Sequence, residues 1–340
     1  MTVMFAEKTS SYVHGSRPEI SEAAQTLLDE LLPLRDPFHA AWLRGNAYEM
    51  VERSLTRCLA KLSATNLVGM DNRLPSSDIW NIAGDNLGLG WLQNRARIKP
   101  RGYAGDFEMQ QRVYDRQLCD HPFGRLFDRY FQNQAAPQAV RNRMQLVANW
   151  IVERVRTTQR PCRVVSFGSG PGLDVRDALA RLSAQERELL TITLLDLDPL
   201  GLEFAAQQIA PYVQPHQLHC ADENLFRLAK NERLARKLAD ADLIFCTGLF
   251  DYLDDAGGAA MLAAMYRKLA PGGQVTFFNF SPENPTRAYM EWLGNWYLIY
   301  REPQQMWDIA EAAGIPTANC TVGVEAVGIN LYLTATKRSP

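Results

Sequence analysis

Residues 164–174 read VVSFGSGPGLD, and the way the chain must turn there sets the fold. An apolar run ends in Gly168, Gly170 and Gly172, and a helical pattern starts near Asp174. The glycines therefore fall where the backbone reverses sharply and lets a ligand approach closely. A dinucleotide fingerprint requires GxGxxG with a small third residue. Here the spacing is GxGxG and Leu173 follows Gly172, which weakens a pyrophosphate reading.

Downstream, the texture supports the same picture. Short β-rich runs at 163–167 (RVVSF), 191–196 (TITLLD), 216–221 (HQLHCA), 242–247 (DLIFCT) and 274–280 (QVTFFNF) alternate with helical stretches such as 256–270. That alternation predicts a parallel sheet covered by helices. The last two runs, TANCTVGVEA and GINLYLTATK, predict an antiparallel hairpin on the sheet edge. Upstream of about residue 160 the periodicity is helical instead. Ile20, Ala24, Leu27, Leu28 and Leu31 share one face, as do Val140, Met144, Val147, Ile151 and Val155. We therefore expect an all-helical region over 1–160 and an α/β domain over 161–340.

Two acidic positions extend the glycine signal. In TLLDLDP (193–199), an acid at the carboxyl end of the second strand can accept hydrogen bonds from both ribose hydroxyls of a nucleoside laid across the first two strands. Asp196 is the candidate, with Asp198 better suited to cap the following helix. In CADEN (220–224), Asp222 can accept from an adenine amino group or cap a helix.

Composition bounds the alternatives. The 340 residues are 46% hydrophobic and 22% charged, an ordinary globular balance with a net charge of -2. Residues 1–160 carry 21 Lys and Arg against 17 Asp and Glu, an excess of four that is spread out rather than striped. No nucleic-acid partner is expected from such a pattern. No apolar run approaches the roughly 18–20 residues that span a bilayer, and the first residues lack a signal-peptide plan, so no membrane association and a cytoplasmic location are expected. Six cysteines show no CxxC spacing or close His partner, and no metal site is predicted. The sequence leaves oligomeric state open.

Taken in order, the loop with Gly168, Ser169, Gly170 and Gly172, then Asp196, then Asp222, resemble the class I S-adenosylmethionine (SAM) methyltransferase family. The resemblance covers roughly residues 161–338 and implies a Rossmann-like, seven-stranded sheet with SAM as cofactor or substrate. In that family the glycine loop holds the methionine end, the acid ending the second strand takes the ribose, and an acid after the third strand contacts adenine. The 28-residue spacing from Gly168 to Asp196 is longer than usual and predicts a longer first helix. The second substrate is received above the fourth and fifth strands. Those ends offer Asp251 and Tyr252, then Asn279, Ser281, Glu283 and Asn284, followed by an aromatic helix with Tyr289, Trp292, Trp296, Tyr297 and Tyr300. Packing against the N-terminal helices is the plainer role for Trp292 and Trp296. Asn279, a polar amide ending an apolar strand, needs partners if buried, so it serves either the reaction or the fold, and Ser281 beside it is a candidate for holding the cofactor. Asp251, Tyr252 or Tyr103 can assist a reaction that depends mainly on alignment.

The upstream stretch KPRGYAGDFEM (99–109), together with YMEWLGNWYLIYR, resembles a branch with a helical N-terminal extension. That branch includes methyltransferases for small or fatty-acyl carboxylates and azetidine-2-carboxylate synthases. If the helical region forms a lid, Tyr103 would reach the sulfonium or reacting group, Arg101 a carboxylate, and Asp106 the methionine amine. The alternative is a turn between helices with Asp106 as N-cap. The expected function is methyl transfer from SAM to a small molecule of specialised metabolism. Intramolecular cyclisation of SAM to azetidine-2-carboxylate, with release of methylthioadenosine, is the second reading, and non-catalytic SAM binding the third.

Overall fold

The computed structural model describes residues 17–223 and 238–338. Helices fill the chain up to Thr158 and the first strand starts at Cys162. Helix Pro18–Leu31 buries Ile20, Ala23, Ala24, Leu27 and Leu31, the stripe its period demands, with Leu28 on the edge. Helix Ala135–Thr158 buries Met144, Val147, Ile151 and Val155 and ends at a left-handed Gln159 (φ 49). Each fully buried Leu, Ile or Val contributes about 1.5–3 kcal/mol relative to exposure, so these stripes dock the helices.

Seven strands follow: β1 (Cys162–Phe167), β2 (Leu190–Asp196), β3 (Leu218–Asp222), β4 (Ala241–Cys246), β5 (Leu269–Phe280), β6 (Cys320–Val324) and β7 (Asn330–Thr336). Their spatial order is β3-β2-β1-β4-β5-β7-β6. β1 to β5 are parallel, and β7 runs antiparallel between β5 and β6, closing the terminal hairpin. The chain steps outward from β1 to β3 and returns to β4 beside β1. That reversal opens a crevice over the carboxyl ends of β1 and β4.

One face of the sheet is covered by helices Asp255–Arg267 and Pro303–Ala312, the other by Ala135–Thr158, Leu173–Arg181 and Pro199–Ile209. The long spacing from the glycine loop to Asp196 is taken up by two short helices, Leu173–Arg181 and Ala184–Glu188, rather than one longer helix. Ser183 starts the second of them with a capping box, which divides the segment.

After β5 the chain leaves the sheet and enters the helical layer. Phe280, Tyr289, Met290, Trp292 and Leu293 belong to the same core as Ile20, Leu55 and Phe127. Tyr289 stacks on Phe131 at 5.0 Å between ring centres and donates to Gln93 Oε1 at 2.7 Å. Glu291, also buried, accepts from Gly69 N (2.8 Å), Asn72 Nδ2 (2.7 Å) and Arg287 Nε (2.7 Å). The aromatic helix expected through Tyr300 is shorter: it is one π-turn, Tyr289–Leu293, broken at Gly294 and the left-handed Asn295 (φ 48). Beyond it the backbone is irregular. Trp292 is packing, as its plainer reading held.

Candidate functional site

The loop after β1 has the geometry its glycines foretold. Gly168, Gly170 and Gly172 all take positive φ (63, 51 and 62), where a side chain would be strained. At Gly172 an added Cβ would lie 2.9 Å from Ala205 Cβ, so this glycine also sets how closely the start of helix Leu173–Arg181 approaches helix Pro199–Ile209. At Gly170 nothing lies within 4 Å, and that side of the loop is open.

Asp196 ends β2 and holds the loop. Its Oδ2 accepts from Gly170 N (2.8 Å) and its Oδ1 from Asp198 N (3.0 Å). Burial raises its pKa, opposed by these N–H groups. Asp198 caps helix Pro199–Ile209 through Leu200 N at 3.0 Å. Asp222 stands in register with Asp196 one strand further out and is exposed. The rest of CADEN, from Asn224, lies outside the described residues.

KPRGYAGDFEM lies beside this crevice, although it is remote in sequence. Arg101 bridges Glu108 (2.6 Å) and Asp198 (3.3 Å) and stacks 4.5 Å from the Phe107 ring centre. Phe107 in turn packs on Gly201 and Phe204 of the helix after β2. Tyr103 keeps 36% of its surface exposed and lies within the field of Asp196, Asp198 and Tyr252. Burial first, and the carboxylates of Asp196 and Asp198 second, push its phenol above the usual range, so it stays protonated. Trp296 donates to Tyr252 Oη (2.8 Å), and an added Cβ at Gly105 would lie 2.8 Å from the Trp296 ring. Tyr252 and Trp296 therefore close on one small glycine, Gly105, two residues from Tyr103. Tyr252 is also raised by burial and does not ionise near neutrality.

Four expected roles do not fit the geometry. Asp106 is completely buried and engaged: Arg95 Nε lies 2.9 Å from both oxygens, and Oδ1 accepts from Met109 N (2.9 Å). It is the N-cap, the alternative stated for it, and its complete burial closes it to a ligand amine. Arg101 directs its terminal nitrogens to the chain's own carboxylates, Glu108 and Asp198, rather than to a ligand's, and only its buried Nε has no partner. Asn279 is also fully buried, donating to Ile299 O (2.7 Å) and Phe280 O (3.0 Å) and accepting from Arg301, so its polarity serves the fold. Ser281 accepts from Glu283 N (3.0 Å) and forms the turn after β5. Asp251, buried, accepts from Phe280 N (2.8 Å). Its pKa rises to about 6 through burial, opposed by Arg143, the Phe280 N–H and Arg301.

Two arginines escaped the sequence reading. Arg301 is fully buried and donates to Asn279, to the carbonyls of Phe250 and Leu253 and to Asp255, tying the β4 and β5 ends together. Arg143, midway along helix Ala135–Thr158, is 3% exposed, and its Nε and Nη1 are buried without a hydrogen-bond partner. Its guanidinium faces Gly248, just after β4, with Nη2 3.5 Å from where a Cβ would stand. Gly168 faces Leu249 of the same loop. Arg143 thus lies under the crevice, beside Asp174, whose pKa burial raises to about 6, and beside Asp251. Ser169 Oγ is a third buried atom here without a partner. An unpaired buried donor costs about 1–3 kcal/mol, more when charged, so these atoms are configured for something the chain does not supply.

Residues 165–275 match a family model described as a methyltransferase domain. Among solved structures, a possible exported protein from Bordetella parapertussis aligns over 96% of this chain and 98% of its own, at 16% identity and a TM-score of 0.56. The CurJ carbon methyltransferase aligns over 95% and 92%, at 13% identity and a TM-score of 0.51. No curated protein matches the sequence. The sheet order and the family model together give the class I SAM methyltransferase fold that the glycine loop led us to expect.

Proposed function

We propose that this chain binds SAM across the carboxyl ends of β1, β2 and β4 and transfers its methyl group to a small acceptor. The observation that carries the proposal is that two buried donors of Arg143, Nε and Nη1, have no hydrogen-bond partner beside the glycine loop. They would donate to an acceptor at the place where the loop would receive an amino-acid end, and the α-carboxylate of SAM is such an acceptor.

Bound SAM supplies an electrophilic methyl carbon on a sulfonium. The loop Gly168–Gly172 and Ser169 would hold the methionyl arm, and Asp222 would contact adenine. Asp196 already fixes the loop through Gly170 N and Asp198 N, and a carboxylate has about four acceptor sites, so its remaining capacity would serve the ribose hydroxyls. Tyr103, Tyr252 and Trp296 would face the cation, an attraction of roughly 0.5–2 kcal/mol each. Both tyrosines remain neutral, so they orient rather than deprotonate. Alignment by these walls, with water displaced, accounts for the catalysis that the chain itself can provide.

The test is product analysis by mass spectrometry, with purified protein and SAM, with and without cell extract. Adenosylhomocysteine that forms only with extract supports methyl transfer. Methylthioadenosine with azetidine-2-carboxylate from SAM alone would replace it with cyclisation. If neither SAM nor adenosylhomocysteine binds in calorimetry, both readings fall.

A further inference from the structure

Gln110, on helix Phe107–Tyr114, joins the upstream turn to the crevice. Its Nε2 donates to Gly105 O at 3.1 Å, and among the described residues that carbonyl receives no other hydrogen bond. Gly105 is the buried glycine on which Trp296 and Tyr252 close, two residues after Tyr103. The same Nε2 lies 3.7 Å from where a Cβ would stand at Gly248, and Arg143 Nη2 lies 3.5 Å from that point. One amide therefore holds the turn that carries Tyr103 and shares a gap after β4 with the guanidinium under the crevice.

The amide can face only one way. A carbonyl oxygen accepts and cannot donate, so the end at Gly105 O must be the NH2 group. Oε1 then faces Tyr114 Oη, 3.4 Å away, and because an amide oxygen only accepts, the phenol supplies that proton. Burial pushes the Tyr114 phenol above the usual range, with Arg143 opposing the rise, so the proton is held at neutral pH. Nε2 carries two hydrogens and Gly105 O takes one; the other has no acceptor among the described residues. It is left for the gap beside Gly248, next to a guanidinium whose Nε and Nη1 are unpaired as well. Two donor groups at one gap, with no acceptor between them, suit a carboxylate, which takes several hydrogen bonds at once.

We infer that Gln110 joins Arg143 in holding the amino-acid carboxylate of the ligand and, through Gly105 O, positions the turn that carries Tyr103 against Trp296 and Tyr252. An amide bonded through one N–H can rock about its side-chain torsions. Bonded through both, it fixes the hydrogen bond on which the Gly105 carbonyl depends. This inference rests on the methyl-transfer reading, to which it adds how one end of the ligand orders the residues around the other.

Hydrogen–deuterium exchange read by mass spectrometry, with calorimetry in parallel, tests it on the full chain. The probes are adenosylhomocysteine and methylthioadenosine, which lacks the carboxylate. In wild type, adenosylhomocysteine should slow exchange across residues 99–109, and methylthioadenosine should slow it less. Gln110→Leu should weaken adenosylhomocysteine roughly ten-fold or more, leave methylthioadenosine nearly unchanged, and reduce the slowing by adenosylhomocysteine to the level methylthioadenosine gives. Gly248→Ala is the second variant. Its Cβ would meet both donors at ordinary contact distance, on backbone outside the left-handed region, so the fold is kept while the gap is filled. Exchange over 99–109 should match wild type in its unliganded form, and the carboxylate-dependent slowing should disappear. Equal slowing by the two probes in wild type, or a wild-type response in either variant, would overturn the inference. Exchange in Gln110→Leu that is faster by the same factor with and without ligand would overturn it too, since the amide would then serve the fold alone. If wild type binds no adenosylhomocysteine, the methyl-transfer reading falls; if it binds without carboxylate-dependent slowing, only the role of Gln110 falls.

Discussion

Replacing Arg143 with methionine should have opposite effects on the ligand and on the fold. Methionine nearly fills the space of the side chain but donates nothing, so the two unpaired donors, Nε and Nη1, disappear together with the charge. A hydrogen bond to a charged group is worth about 1.5–3 kcal/mol, so losing the contact to an amino-acid carboxylate should weaken adenosylhomocysteine about 10- to 150-fold. The apo protein should not suffer in proportion. Each unpaired buried donor costs about 1–3 kcal/mol, and removing both relieves that cost. Against this, Asp174 and Asp251 lose their nearby cation and take up protons. From a pKa of about 6 this costs about 1.4 kcal/mol per group at pH 7 and almost nothing at pH 5.5. The two contributions roughly offset at pH 7, and at pH 5.5 Arg143→Met should be the more stable protein. Calorimetry with adenosylhomocysteine and with methylthioadenosine, which lacks the amino-acid carboxylate, reads the first effect, and thermal melting at the two pH values reads the second. If both nucleosides weaken equally, or if adenosylhomocysteine binds Arg143→Met as well as wild type, the assignment of Arg143 to a carboxylate is wrong.

Two further outcomes follow from the geometry. Asp174 and Asp251 bind protons more tightly folded (about 6) than at the unperturbed 3.8, so their contribution is complete below pH 3.8 and lost as pH rises to about 6. Urea unfolding should therefore give lower stability at pH 7.5 than at pH 5, by about 1.4 kcal/mol per group, and Asp251→Asn should remove roughly half of the difference. The glycines should separate fold from ligand: Gly172→Ala, at φ 62 and 2.9 Å from Ala205, should cost about 2–4 kcal/mol of stability. Gly170→Ala, whose Cβ meets nothing, should cost about 1–2 kcal/mol yet abolish adenosylhomocysteine binding, and tight binding by that variant would place the ligand elsewhere.

What the sequence disclosed depended on whether a residue's neighbours were near in the chain. Glycines after an apolar strand, an acid ending the next strand and a period of two or 3.6 are local patterns, and they yielded the helical half, the parallel sheet, the terminal hairpin and the loop around Asp196. Asn279 misled because a buried amide at a strand end looks like a ligand contact until its partners are known. Those partners are Ile299 and Arg301, about twenty residues on, along irregular backbone with no periodic signal. Arg143 could not be singled out at all, since an arginine every few residues along an amphipathic helix normally marks the solvated face. Only the packing of that helix against the β4 loop shows that this one points inward. The Arg101 contact to Asp198 joins residues 97 positions apart, which composition and spacing cannot connect.

The return of the chain into the helical layer after β5 limits how the crevice can open. Residues between Ile20 and Ala139 share a core with Phe280, Tyr289, Met290, Trp292 and Leu293, and Glu291 is clasped by Gly69 and Asn72. A hinge near residue 160 would have to pull that buried strip apart, so the helical half cannot swing away as a unit. Ligand exchange is left to short pieces held by few bonds, of which the Arg101 bridge to Asp198 is the most exposed to competition from salt. For the same reason, a fragment cut at the start of β1 would carry Trp292 into water and should aggregate, so the sheet and its helices are not a unit that folds alone.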